Sequence, residues 1–263
     1  MLVKWVRHGL MVLTITGFIA CAQQFDNGAT LPSAQEDSFP SPQVPNGFLF
    51  RPIFKTTSGT IRAGTAFVIR LSTSERPIVV TALHLLGPAG GLPKDIAPKD
   101  VAAAVSSVGL VECFNGAFKV QIDGKPLAIL DAAPLGKPSA AGDILAFWTT
   151  PDPRLATRPL ASNVPNKGEP VWLAAQLVQG APRTRRLHRG VASGIDEDGD
   201  FIFEYENAAI ALRATSGAPV LNATGELVAI YLAGGRKVGQ MFGIGNPVDR
   251  FRKFLESAAK STE

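Results

Sequence analysis

Three polar residues in an otherwise apolar, strand-rich sequence have the types needed for nucleophilic chemistry. His84 lies in "PIVVTALHLLG" at 77–87, an apolar, β-branched run that reads as a buried strand and ends by placing an imidazole among leucines. Of the other histidines, His8 belongs to the N-terminal leader and His188 to "PRTRRLHRG", a basic loop or strand edge read as solvated surface, with a lipid-headgroup patch as its alternative use. His84 is therefore the main candidate for acid or base work near neutral pH. Such a base needs a carboxylate to orient its ring and a nucleophile to deprotonate. Asp143, at the mouth of the apolar run "AAGDILAFW", supplies the carboxylate, and burying it there is costly unless it is paired. Ser216, in "ATSGAPVLN", supplies the hydroxyl, on a turn that Gly217 allows to be tight. Taken singly, each has a bland explanation: a core histidine bonded to a carbonyl, a turn aspartate, an ordinary Ser-Gly-x-Pro turn.

The elements that must position these residues are mostly strands. "GFLFRPIFKT", "TIRAGTAFVIRL", "PIVVTAL", "AFKVQIDG", "PLAILDA" and "DILAFWTT" form a first set, separated by Gly, Pro, Asp and Ser turns. A Pro- and Asn-rich break at 149–170 separates them from "VWLAAQLV", "RGVASGI", "DFIFEYE", "APVLN", "ELVAIYLAG" and "MFGIG". Asp-Gly in "DEDGD" predicts a hairpin. The segment "NPVDRFRKFLESAAK" changes to a helical period, with Val248, Phe251, Phe254 and Leu255 on one face, Asn246 able to cap and Pro247 in the first turn. Two sets of about six short strands, a connector and a closing helix predict an all-β pair of antiparallel six-stranded barrels. The expected boundaries are a barrel at 47–150, a connector at 151–170, a second barrel at 171–245 and a helix at 246–260.

"TALH", "DILAF" and "TSGAPVLN…GELVAIYLAGG", in that order, resemble the trypsin-like serine peptidases over about residues 47–258. The resemblance implies a double β-barrel with a C-terminal helix and an active site in the cleft between barrels. It implies that Ser216 attacks a scissile carbonyl, His84 relays the proton and Asp143 holds the imidazole tautomer. The backbone N–H groups of Ala214 and Ser216 would form the oxyanion hole. Ile210 would lie at the base of the substrate pocket, an apolar base that favours apolar or small side chains, and Leu232, Ala233 and Gly234 would line its wall. The chain departs from the family at Ala214 and Ala218, where glycine is usual, and at Thr215, where the animal digestive members carry an aspartate that pairs with a new N-terminus. A Cβ at 214 works against the backbone geometry that the hole requires, so the same fold with its chemistry lost, serving as a binding or scaffold module at the cell envelope, is the alternative function. The order His, Asp, Ser and the lack of a Gly-x-Ser-x-Gly elbow argue against subtilisin-like and α/β-hydrolase enzymes. Ser257 and Lys260 form a Ser-x-x-Lys pair near the terminus that reads as chance.

The N-terminus carries an address. Lys4 and Arg7, the apolar "GLMVLTITGFIA" and small residues before Cys21 form an export signal at 1–20 whose apolar part is too short to span a bilayer comfortably. "FIAC" resembles the lipobox of bacterial lipoproteins, with Phe18 where leucine is usual, which implies lipidation of Cys21, tethering to a membrane and a place on the periplasmic or extracellular side of a bacterial envelope. The alternative is ordinary signal cleavage near Ala22. Residues 21–46, rich in Gln, Ser, Asp and Pro, read as a spacer. Cys113 is the only other cysteine, so a lipidated chain has no intramolecular disulfide. Over 263 residues, 46% are hydrophobic, enough for a substantial core. The net charge of +4 falls to +2 once Lys4 and Arg7 leave with the signal, which gives no electrostatic case for nucleic acid. No cofactor is expected, and no metal, because Phe201 stands where a calcium loop built on "DEDGD" needs glycine. The expected partner is a protein or peptide substrate, and the expected state a monomer.

Overall fold

The computed structural model describes residues 40–116, 118–123 and 125–261; the export signal, Cys21 and most of the spacer lie outside the described residues. The first strand set forms β1 (Leu49–Thr56), β2 (Gly59–Arg62), β3 (Ala66–Ile69), β4 (Ile78–Thr81), β5 (Val105–Glu112), β6 (Lys119–Asp123) and β7 (Leu145–Trp148). They pair in the order β6-β5-β1-β3-β4-β7, with β2 on β1. This antiparallel half-barrel, with seven strands and an open edge between β6 and β7, is the first part of the expected double barrel. Between β6 and β7 the seam is carried by one bridge, Pro126 to Phe147, and by the Leu127 N–H donating to Ala146 O at 2.9 Å. "PLAILDA" is therefore not a strand: Pro126 and Pro134 remove ladder donors on either side of it. Conversely, β5 was not among the expected strands, because Ser106, Ser107 and Gly109 interrupt its apolar character, yet from Val108 onward it alternates, with Val108, Leu110 and Glu112 buried.

The second set forms β8 (Pro170–Ala174), β9 (Leu187–Ile195), β10 (Phe201–Tyr205), β11 (Pro219–Leu221), β12 (Leu227–Lys237) and β13 (Gln240–Pro247). These close as a barrel in the order β10-β13-β12-β11-β8-β9. The "DEDGD" hairpin forms as expected between β9 and β10, with Gly199 at φ +80°. The core forms two apolar clusters, one around Phe48, Phe50, Phe67 and Phe147 that also takes in Leu221, Ile230 and Leu232 of the second set, the other around Phe201, Phe203, Tyr205 and Tyr231. Burying side chains of this size contributes about 2–3 kcal/mol each.

A short turn of helix, α1 (Val101–Ala104), precedes β5, and the C-terminal helix, α2, runs Val248–Lys260 with Val248, Phe251 and Leu255 buried and Phe254 partly so. Its cap differs from expectation. Pro247 takes the N-cap position without a side-chain bond, and Asn246 is wholly buried, its Nδ2 donating to Ala141 O at 3.0 Å. Residues 40–46, assigned to the spacer, are also held: Val44 is buried, and the Arg186 guanidinium donates to Val44 O at 2.8 Å and to Asn46 Oδ1 at 2.6 Å.

Candidate active site

β4 delivers His84. The strand ends at Thr81, and His84 sits three residues later in the 3₁₀ turn Leu83–Leu86, 9% exposed. Asp143 lies just ahead of β7, which is paired with β4 through Thr81 and Leu145, so strand register brings acid and base together. Asp143 Oδ2 is 2.6 Å from His84 Nδ1 and also accepts the Leu135 N–H at 2.8 Å; Oδ1 accepts the His84 N–H at 3.1 Å. The carboxylate, 2% exposed, thus has three donors, which is what makes its burial tolerable. Its loop is shaped by Gly142 at φ +72°, where a Cβ would come within 2.3 Å of the Asn246 amide.

Ser216 comes from the turn before β11. Gly217 has φ +84°, and a Cβ there would lie 2.3 Å from both Thr65 O and Thr81 Oγ1, so the serine turn is pressed directly against the end of β4. Ser216 O accepts the Thr65 N–H at 2.8 Å, and the Gly217 N–H donates to Tyr231 O at 2.7 Å. The Ser216 hydroxyl itself donates to Leu232 O at 2.9 Å, and no hydrogen bond joins it to His84. Of the two contacts expected of the imidazole, the one to the acid is made, while the hydroxyl faces a different acceptor.

Leu212 to Thr215 form the turn that precedes the serine, with the Thr215 N–H donating to Leu212 O at 3.4 Å and Thr215 Oγ1 to the same oxygen at 2.6 Å. Ala214 adopts φ +64°, one of two non-glycine residues at positive φ among the described residues. Ala214 thus takes the left-handed backbone that its Cβ disfavours, at a cost of about 1–2 kcal/mol for an L-residue. Neither the Ala214 nor the Ser216 N–H has a protein acceptor among the described residues.

The other predicted pocket residues fall unevenly. Ile210 is buried in the second cluster, Leu232 is buried against the first, Ala233 is half-buried and Gly234 is exposed. A Cβ at Gly234 would come within 2.5 Å of the Tyr231 hydroxyl and 2.8 Å of Leu212 Cδ1. Tyr231 and Leu212, which sequence reasoning passed over, thus stand beneath that edge of β12. Burial holds the Tyr231 hydroxyl well above the usual phenol range, so it is a neutral group there. Arg51, Thr65 and Asn246 were also missed; a charged residue inside the apolar strand β1 was the one signal available. His188 is not solvated surface: it is 5% exposed on β9, its Nε2–H donates to Ala175 O at 3.0 Å, and burial pushes its pKa down to about 4. Cys113 is free and buried, its thiol pushed up to about 12 by burial.

Among solved structures the chain is similar to the HtrA-type protease AlgW with tripeptide, at 12% identity and TM-score 0.52, covering 82% of this chain and 62% of that one. The thermostable serine protease AL20 from an extremophilic microorganism matches at 14% identity and TM-score 0.52, covering 81% of this chain and 97% of that one. The serine endoprotease from Yersinia pestis matches at 12% identity and TM-score 0.52, covering 84% and 70%. The chain thus spans about three-fifths of AlgW, and identities this low speak for the fold alone. No curated protein sequence matches the chain. The family model of the trypsin-like peptidase domain matches residues 64–230, more than half of the sequence, and the chain belongs to that family.

Proposed function

We propose that the protein is an exported serine endopeptidase acting through Ser216, His84 and Asp143. The observation that carries this reading is the buried 2.6 Å contact between His84 Nδ1 and Asp143, across the interface from a serine turn whose Ala214 and Ser216 N–H groups have no protein acceptor. Asp143 keeps a proton on Nδ1, so the Nε2 lone pair is the base. For this the Ser216 hydroxyl must leave Leu232 O, by rotation about its Cα–Cβ bond. Ser216 Oγ then bonds to the carbonyl carbon of a peptide as its proton passes to Nε2, and the carbonyl π pair moves onto oxygen, where the two N–H groups receive it. Losing one such donor typically costs about 3 kcal/mol of transition-state stabilisation. Collapse breaks the C–N bond, the amine leaves with the proton from His84, and water repeats the sequence on the acyl-enzyme. The buried Ile210, with Leu212 and Tyr231 beneath Gly234, favours a small or apolar side chain ahead of the scissile bond.

A fluorophosphonate probe tests the reading. It is expected to label the folded wild type and not Ser216→Ala; a folded wild type that stays unlabelled overturns it. That result would favour the second reading, a catalytically inactive scaffold module at the envelope, which the Ser216 bond to Leu232 O and the Cβ at Ala214 support. Export by residues 1–20 and a lipid on Cys21 complete the proposal. Cys21→Ser is expected to move the protein from the membrane fraction to the soluble one, and retention in the membrane would mean another anchor.

A further inference from the structure

We propose that Arg51 is a positioning residue that holds the oxyanion turn in its left-handed conformation, compensating in this chain for the side chain at Ala214; this rests on the peptidase reading above. Arg51 lies on β1, far in sequence from any residue assigned a role. Its Nη1 donates to Ala214 O at 2.7 Å, and lies 3.3 Å from Gly64 O and 3.4 Å from Thr65 Oγ1. Nη2 donates to Gln176 O at 2.8 Å, just past the end of β8. Thr65 adds a second donor to the same carbonyl, its hydroxyl lying 3.1 Å from Ala214 O, while its N–H holds Ser216 O at 2.8 Å. The carbonyls of the two residues that carry the oxyanion N–H groups are therefore both held from the first half of the molecule.

The need for such a fixture follows from Ala214. Glycine takes a positive φ freely, whereas alanine persists there only when its surroundings over-determine the backbone. Ala214 is exposed, so the restraint must come through the main chain. A planar guanidinium reaching three loop carbonyls at once is suited to that task, and a lysine ammonium, which presents a single point of charge, is not. Removing the guanidinium frees the turn to relax toward negative φ, which swings the Ala214 N–H out of the hole while leaving His84 and Asp143 untouched.

The experiment is a double-mutant cycle of Arg51→Met with Ala214→Gly, read by turnover of a chromogenic peptide. Arg51→Met is expected to lower kcat by about 10²-fold, the order seen when one oxyanion donor is lost, with KM within about twofold and the pH profile unmoved. In the Ala214→Gly background the same change is expected to cost only a few-fold, and Arg51→Lys is expected to stay defective. An equal loss in both backgrounds, or a loss confined to KM, overturns the inference. Crystal structures of the wild type and of Arg51→Lys, the milder change should Arg51→Met fail to fold, decide it independently of activity: φ at 214 is expected to turn negative in the variant, and a φ that stays near its wild-type value overturns the inference. An inert wild type whose 214 turn still relaxes in the variant sinks the peptidase reading and keeps the positioning role.

Discussion

The half-barrel and the closed barrel contribute to the site in different ways. His84 and Asp143 both belong to the first half, and every bond that fixes the Asp143 carboxylate, from His84 and Leu135, is made within it. Ser216 belongs to the second half, but its turn is held across the boundary by Thr65, Thr81 and Arg51 of the first. The less completely closed half thus carries the self-sufficient acid–base pair, and the fully closed barrel carries the group that depends on its neighbour. The geometry of the proposed site is thus a property of the boundary between the halves, and changes on its two sides should separate chemistry from stability.

The largest effect expected is that of Asp143→Asn. An amide can orient the ring only in the wrong tautomer, so kcat should fall by about 10⁴-fold. The same change leaves one of the buried backbone donors poorly matched and should destabilise the fold by about 1–3 kcal/mol in urea unfolding. A loss of activity below tenfold would show that Asp143 does not orient His84. Next comes Gly217→Ala, which puts a Cβ 2.3 Å from Thr65 O and Thr81 Oγ1 and asks an L-residue to keep φ +84°. It should weaken the seam by about 2–4 kcal/mol and abolish probe labelling even where the chain still folds. A variant that labels like wild type would show that the serine turn is not fixed by contact with β4.

The smallest effect concerns pH and lies within the closed barrel. His188 titrates near 4 in the fold and near 6.5 when unfolded, so between those values the unfolded chain binds more protons and stability rises with pH by up to about 1.4 kcal/mol per unit. Asp200 has the opposite sign. Burial and its neighbour Asp196 raise it to about 6, against the pull of Arg250, so between its ordinary value and 6 the fold binds more protons and stability falls as pH rises. The two slopes oppose each other from about pH 4 to 6. His188→Gln should expose the falling slope and Asp200→Asn the rising one in thermal unfolding, whereas parallel profiles in both variants would refute the assignment.

Much of the frame was legible because apolar runs and alternation are local. Ile78 to Thr81, Phe201 to Tyr205 and Leu227 to Leu232 declare strands within a few residues, and glycines at 142 and 217 mark turns wherever the chain goes afterwards. The residues expected to meet, His84 and Asp143, do so because β4 and β7 pair in register. What was misread depended on distant partners. Asn246 looks like a helix cap until Ala141 is seen 105 positions away, and His188 looks solvated among arginines until β8 covers it. β5 was missed because serines and a glycine hide a periodicity that burial restores.

By itself the sequence determined the all-β pattern, the closing helix, the order of the three reactive groups and the family that shares it, since each of these is written in spacing along the chain. Only the tertiary structure decided that the first half stays open at one seam, that the Ser216 hydroxyl rests on Leu232, and that Ala214 takes a conformation suited to glycine under the hold of Arg51, 163 positions away. The physical reason is that a side chain's periodicity states which face it occupies, whereas its polar partner is chosen by whatever backbone the fold brings within about 3 Å, and that choice leaves no mark in local sequence.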